Sequence, residues 1–195
     1  MRRICVFAGS NPGTRPEYQQ AARSLAQAML ARGIGLVYGG ASVGLMGVIA
    51  DTVIAGGGEV LGVIPRGLFR QEVPHRGLAQ LYEVASMHER KALMADLSDG
   101  FIALPGGYGT FDELFEIITW AQLGLHNKPV GVLNIAGYFE PLFALIAHAS
   151  TEGFISPSHQ SLLMHEDNPM NLLDRFAAYT PQAKVSKWTE IPPER

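Results

Sequence analysis

Two short stretches concentrate the residue types that do chemistry. The first is FIALPGGYGTFDELFE, Phe101 to Glu116. An apolar run ends in Pro105-Gly106-Gly107, and Gly109 and Thr110 lead into an amphipathic segment that carries Asp112, Glu113 and Glu116. Successive backbone amides that feed a helix N-terminus form an anion pocket, because unpaired N–H groups and the helix dipole both favour negative charge. A phosphate would rest on the amides of Gly107 to Thr110 and on the Thr110 hydroxyl. The glycines alone also fit a tight turn and nothing more. The acids carry two readings as well. Thr110 and Glu113 spell T-x-x-E, the capping-box pattern, in which Glu113 only closes its own helix. Asp112 in a first turn is favoured by the dipole. Crowding three carboxylates beside a phosphate pocket costs repulsion, however, and a site that handles an anion and also needs a carboxylate accepts that cost.

The second stretch is SMHERKALM, which places His88, Glu89, Arg90 and Lys91 in the first turns of a helix. The dipole disfavours positive charge there. Arg90 and Lys91 read either as ordinary surface charge or as groups reaching over a rim to an anion or a sugar. Arg90 offers a planar fork for phosphate or carboxylate. His88 reads as structural, and Met87 and Met94 as core or pocket wall.

These stretches need elements to hold them, and the rest of the chain alternates. Strands are expected at Ile4–Ala8, Leu36–Tyr38, Val60–Ile64, Leu81–Val84, Gly100–Leu104 and Val130–Leu133. Helices are expected at Pro16–Arg32, Leu45–Ala55, Met87–Leu97, Thr110–Leu123, Tyr138–Thr151 and Asn168–Tyr179. Residues Arg66–Leu78 read as loop or short helix. The alternation predicts an α/β chain with a mainly parallel sheet and helices on both faces, one domain over 1–180, and a polar tail over 181–195. The strands are almost wholly apolar, as in sheets covered on both sides. Ligands of such sheets sit beyond the carboxyl ends of the strands. The turns AGSNPG, YGGASVGLMG and PGGYGT fall there.

Composition bounds the function. The chain has 195 residues, 47% of them hydrophobic, and a formal net charge of -3. It is long enough to bury a sizeable core. A slightly negative balance gives no electrostatic case for nucleic acid or an anionic membrane. With Cys5 as the single cysteine, an intrachain disulfide is impossible and thiol-ligated structural zinc is excluded. No segment reaches membrane-spanning length, and a soluble cytoplasmic protein is expected. The phosphate-loop pattern G-x-x-x-x-G-K-[ST] is missing, and no turn has G-x-G-x-x-G spacing, which argues against an ATPase and a nicotinamide dehydrogenase.

Taken together, the motifs resemble the LOG family, the cytokinin riboside 5'-monophosphate phosphoribohydrolases, whose bacterial members are often labelled lysine decarboxylases. Pro105 to Glu113 is similar to the family's P-G-G-x-G-T-x-x-E, and Arg90-Lys91 to its Arg-Lys pair. YGGASVGLMG, GGEVLGVIP and ITWAQLGLHNKPVGVLN look alike too, so the likeness runs from about Cys5 to Ile155. Ala41 stands where many members have a third glycine, and Asp112 where Glu is frequent. The resemblance implies a Rossmann-like, doubly wound fold, a homodimer with its site near the subunit interface, and hydrolysis of the N-glycosidic bond of a nucleoside 5'-monophosphate to free base and ribose 5-phosphate. It implies Arg90 and Glu113 as the catalytic pair. It implies Glu72, Lys91, Gly107, Tyr108, Gly109, Thr110, Phe111, Asp112 and Thr119 as substrate contacts. The expected partner is the nucleotide, with no nucleic acid, membrane, metal or cofactor. Two rivals stand beside this: a non-catalytic nucleotide or cofactor carrier on the same fold, and a pyridoxal-phosphate lysine decarboxylase, for which Lys91 is the lysine nearest the proposed pocket.

Overall fold

The computed structural model describes residues 1–66, 75 and 77–181. Glu72, most of the loop expected over Arg66–Leu78, and the tail from residue 182 lie outside the described residues. Seven strands form one sheet: β1 (Arg3–Phe7), β2 (Gly35–Tyr38), β3 (Val60–Pro65), β4 (Gln80–Val84), β5 (Phe101–Ala103), β6 (Val130–Leu133) and β7 (Leu163–Glu166). Their order is β4-β3-β2-β1-β5-β6-β7, and every pairing is parallel. The chain builds one half outward from β1, then returns to β1's other side to build the second half. The reversal of direction leaves a crevice at the carboxyl ends of β1 and β5, where ligands of open α/β sheets bind.

Among the described residues the helices, in chain order, are α1 (Pro16–Ala31), α2 (Gly44–Ala55), α3 (Met87–Asp96), α4 (Tyr108–Gln122), α5 (Glu140–Thr151), α6 (Pro157–Gln160) and α7 (Pro169–Ala177). Alternation along β1 decides which helix covers which face. Ile4 and Val6 join a core with Leu25 and Met29 of α1, Leu45 and Ile49 of α2, and Leu172 and Phe176 of α7. Cys5 and Phe7 point the other way, into a core with Met94 of α3 and Leu114 and Ile117 of α4. Successive side chains of one strand thus serve both layers, which is why the strand is apolar from Ile4 to Phe7. Pro16 opens α1, and Gly33, at φ 64, lies just past its end.

Three turns at the crevice are lashed together through main-chain bonds. Gly9 N–H, after β1, donates to Pro105 O, after β5, at 3.1 Å. Leu45 N–H, in the first turn of α2, donates to Gly9 O at 2.9 Å. Gly44 has φ 57, and a Cβ there would lie 2.3 Å from the Ser10 carbonyl carbon, so the turn after β2 closes against the turn after β1 only with glycine.

The elements depart from expectation in places that matter unequally. The edge strand β7 and the short α6 were not anticipated: only Met164 of β7 is buried, so the strand carries no apolar run to read. Helix α5 begins at Glu140 rather than Tyr138, after a 3-10 turn at Ile135–Gly137. Helix α4 begins at Tyr108 rather than Thr110, and this shift decides the chemistry of the site.

Candidate active site

A cavity of about 250 Å³ opens at the β1/β5 crevice. Its floor is Val6 to Ser10 from the end of β1 and the turn after it. Gly39 and Met46 wall it from the β2 side, Met87 and Arg90 from α3, and Gly107 to Thr110 with Asp112 and Glu113 from α4.

The early start of α4 follows from Gly107. It takes extended backbone angles, φ -102 and ψ -154, as the N-cap residue, and as a glycine it has no side chain to cap the helix. Thr110 is therefore the third helical residue, and it is 4% exposed. Its hydroxyl is packed against Gly106, where a Cβ would lie 2.1 Å from Oγ1. The capping-box expectation fails on this point: Thr110 is not the cap, so Glu113 is not the residue that would close one. Asp112 and Glu113 lie beyond the first turn. The first N–H groups of a helix have no intrahelical acceptor, and Gly107 has no side chain to offer one. Positions for a Cβ at Gly107 and Gly109 meet nothing within 4 Å, so the bare amides face open space. Tyr138 Oη donates to Gly106 O and braces the turn from α5's side.

Arg90 is 5% exposed. Its Nη2 donates to Gly39 O at 3.2 Å, Nη1 lies 3.8 Å from Met87 Sδ, and buried Nε has no acceptor among the described residues. A buried guanidinium with a donor to spare is costly unless an anion or a hydroxyl completes it. Gly39 makes the seat possible, because a Cβ there would lie 2.0 Å from Nη2. Helix α3 is itself firmly begun: Ser86 Oγ accepts from Glu89 N–H at 3.1 Å, and Glu89 Oε2 accepts from Ala85 N–H at 2.8 Å.

Both site charges act on one buried atom. The Cys5 thiol on β1 is pushed well above its usual range, first by burial and then by the Glu113 carboxylate, while the Arg90 guanidinium opposes the rise. The thiol stays protonated and inert.

The structure gathers Arg90, Gly107, Tyr108, Gly109, Thr110, Asp112 and Glu113 around the cavity. Tyr108 is almost fully exposed. Three other expected contacts sit elsewhere in the chain. Phe111 packs into the α4 core layer. Thr119 is exposed and donates to Phe115 O at 2.7 Å. Lys91 Nζ is 3.1 Å from Asp112 Oδ2 and 3.0 Å from Glu116 Oε2. Burial works to lower the Lys91 pKa, but the two carboxylates outweigh it and the net shift is upward. Met94 is core and Met87 is cavity wall, while His88 is exposed rather than structural. Gly39 and Met46 are wall residues that sequence reasoning did not single out. Their signal in the sequence is YGGASVGLMG, one of the three glycine-rich turns at the carboxyl ends of the strands. A second cavity of about 180 Å³ adjoins across Gly9, Ser10 and Gly107, with Tyr18 and Tyr138 on its far side.

Comparison with known proteins gives consistent results. A family profile described as possible lysine decarboxylase matches residues 46–176. The probable cytokinin riboside 5'-monophosphate phosphoribohydrolase LOGL5 of Oryza sativa subsp. japonica is 51% identical over 180 residues, 92% of this chain and 73% of that relative. The cytokinin riboside 5'-monophosphate phosphoribohydrolase LOG7 of Arabidopsis thaliana is 50% identical over 181 residues, 93% of this chain and 83% of that relative. Among solved structures, the molybdenum cofactor carrier protein of Chlamydomonas reinhardtii matches with TM-score 0.69 at 18% identity, over 91% of this chain and 99% of that one. The molybdenum cofactor binding protein of Rippkaea orientalis matches with TM-score 0.67 at 20% identity, over 91% and 96%. These two show the fold.

Proposed function

The chain belongs to the LOG family of cytokinin riboside 5'-monophosphate phosphoribohydrolases, and from that premise we propose that it hydrolyses the N-glycosidic bond of nucleoside 5'-monophosphates. Water and the nucleotide give free base and ribose 5-phosphate. Cytokinin riboside 5'-monophosphate and AMP are the proposed substrates. One observation supports the reading above all others: the uncapped α4 N-terminus opens into a cavity that also holds a buried guanidinium and a carboxylate from two different helices.

The proposed mechanism follows from that arrangement. The substrate phosphate docks on the amides of Gly107 to Thr110, drawn by the unpaired N–H groups and the helix dipole. Held there, it positions the ribose and converts remote binding into orientation at the reacting carbon. Cleavage builds positive charge on the sugar, as in glycoside hydrolysis. Glu113 stabilises that charge and orients or deprotonates the attacking water. Arg90 completes its unused donor on the substrate and clamps it. Glu72 and Thr119 remain proposed contacts by family position alone.

The decarboxylase reading needs a lysine free to form a Schiff base. Among the described residues the lysine nearest the cavity is Lys91, and two carboxylates hold it as a charged ammonium. The carrier reading rests on fold likeness at 18–20% identity, and fold alone does not carry function. We further propose that the protein works in the cytoplasm as a homodimer. The exposed Phe115, Leu123 and Leu125 along and just past α4 support the dimer, and light scattering of the purified protein tests it.

The deciding experiment incubates purified protein with AMP and with isopentenyladenosine monophosphate and measures free base. Base release by the parent and its loss in Glu113→Gln, with nucleotide binding retained, is the expected result. A Glu113→Gln variant as active as the parent removes Glu113 from the mechanism. A parent that binds nucleotide and releases no base is a carrier.

A further inference from the structure

Arg90 and Lys91 are neighbours on α3, and Asp112 and Glu113 are neighbours on α4. Successive helical residues point about 100° apart, so Arg90 and Lys91 leave α3 in different directions. Arg90, Asp112 and Glu113 line the cavity. Lys91 instead turns to α4, where it meets Asp112 at 3.1 Å and Glu116 at 3.0 Å.

We infer that Lys91 and Glu116, with Asp112, form a strap that sets the rotation of α4 about its own axis and so places the Glu113 carboxylate. Lys91 and Glu116 are then positioning residues for the hydrolysis proposed above, on which this inference rests.

Asp112 and Glu116 lie one turn apart on the same face of α4. One ammonium that holds both resists a roll of the helix, which a single contact would leave free. A carboxylate sits about 5–6 Å from the axis of its helix, so a roll of about 20° moves it by about 2 Å. Displacements of about 1 Å cost on the order of 10²-fold in rate. The strap is also shielded. The Lys91 side chain is 11% exposed and that of Glu116 is 23% exposed, so the pair is less screened than one in open solvent. Stability does not hang on it, because Leu114 and Ile117 anchor α4 in the core. Glu116 is not among the residues lining the cavity, so its substitution tests the strap without touching a substrate.

The test compares the parent with Glu116→Gln, Lys91→Met and Lys91→Arg, measuring kcat and KM on AMP and isopentenyladenosine monophosphate together with Tm. Glu116→Gln is expected to lower kcat about 10-fold, and Lys91→Met between about 10- and 100-fold, with KM within about 3-fold of the parent and little change in Tm. Lys91→Arg should recover most of kcat, since a guanidinium also spans two carboxylates. Parent kcat in Glu116→Gln, or a Lys91→Met variant that raises KM and spares kcat, overturns the strap. A kcat loss that tracks Tm and is not recovered by arginine makes the bridge merely structural and overturns it as well. A parent that releases no base from either nucleotide sinks the hydrolase reading, and the positioning role with it.

Discussion

Helices α3 and α4 begin with the same kind of sequence and put it to opposite uses. SMHE starts α3, and TFDE lies in the start of α4. Both fit the pattern of a hydroxyl followed three residues later by glutamate. At α3 the pattern is a working cap: Ser86 and Glu89 satisfy the free N–H groups of Glu89 and Ala85. At α4 it is not, because Gly107 takes the cap position three residues earlier and Thr110 is swallowed by the first turn. A capped helix end is stable and finished. An uncapped one, with glycines that leave open space beside its amides, has bonding capacity left for an anion. The contrast shows that a capping motif is settled by where the backbone enters the helix, not by the motif.

The comparison is broken most sharply by changing the two glutamates. Glu113→Gln should lower kcat by about 10²-fold or more, while Glu89→Gln should stay within about 2-fold of the parent; steady-state kinetics on AMP read both. If the two variants behaved alike, the division between cap and site would be wrong. Next in size is Gly39→Ala. The new Cβ would lie 2.0 Å from Arg90 Nη2, so the guanidinium must leave its seat. A kcat loss of about 10- to 100-fold is expected, and a variant with parent kinetics would show that the seat is unimportant.

Gly109→Ala sharpens the contrast at the open helix end. Nothing lies within 4 Å of its Cβ position, and alanine favours a helix over glycine by up to about 1 kcal/mol. Tm should hold or rise while nucleotide affinity, read by calorimetry, falls about 10-fold as the methyl crowds the phosphate. Affinity equal to the parent's would place the phosphate elsewhere. The smallest effect is expected at the capped end. Ser86→Ala should cost about 1 kcal/mol of stability by denaturant titration, with kcat within about 3-fold. A larger kinetic than thermodynamic effect would mean that the α3 cap also serves the site.

Much of the architecture was open to reading in the chain. The alternating apolar runs announce a two-sided parallel sheet, and β6, at Val130–Leu133, falls where its pattern puts it. The Arg90 and Glu113 motifs announce a site through their resemblance to a family. Strand β7 was not legible, because an edge strand with one buried side chain leaves no periodic signal. The role of Gly39 was not legible either, since a glycine after a strand looks the same whether it turns the chain or makes room for an arginine 51 residues away.

Local and periodic properties follow from the chain alone: which segments bury both faces, where glycine frees the backbone, and which residue types are available for chemistry. Where those segments meet follows only from the packed fold. Parallel order brings the turns after β1, β2 and β5 to one crevice. The start of α4 removes Glu113 from capping, and the facing of α3 and α4 sends Arg90 into the cavity and Lys91 to Asp112 and Glu116. These outcomes depend on contacts between residues far apart in the chain, and such contacts follow from packing the two core layers together rather than from the pattern of any one segment.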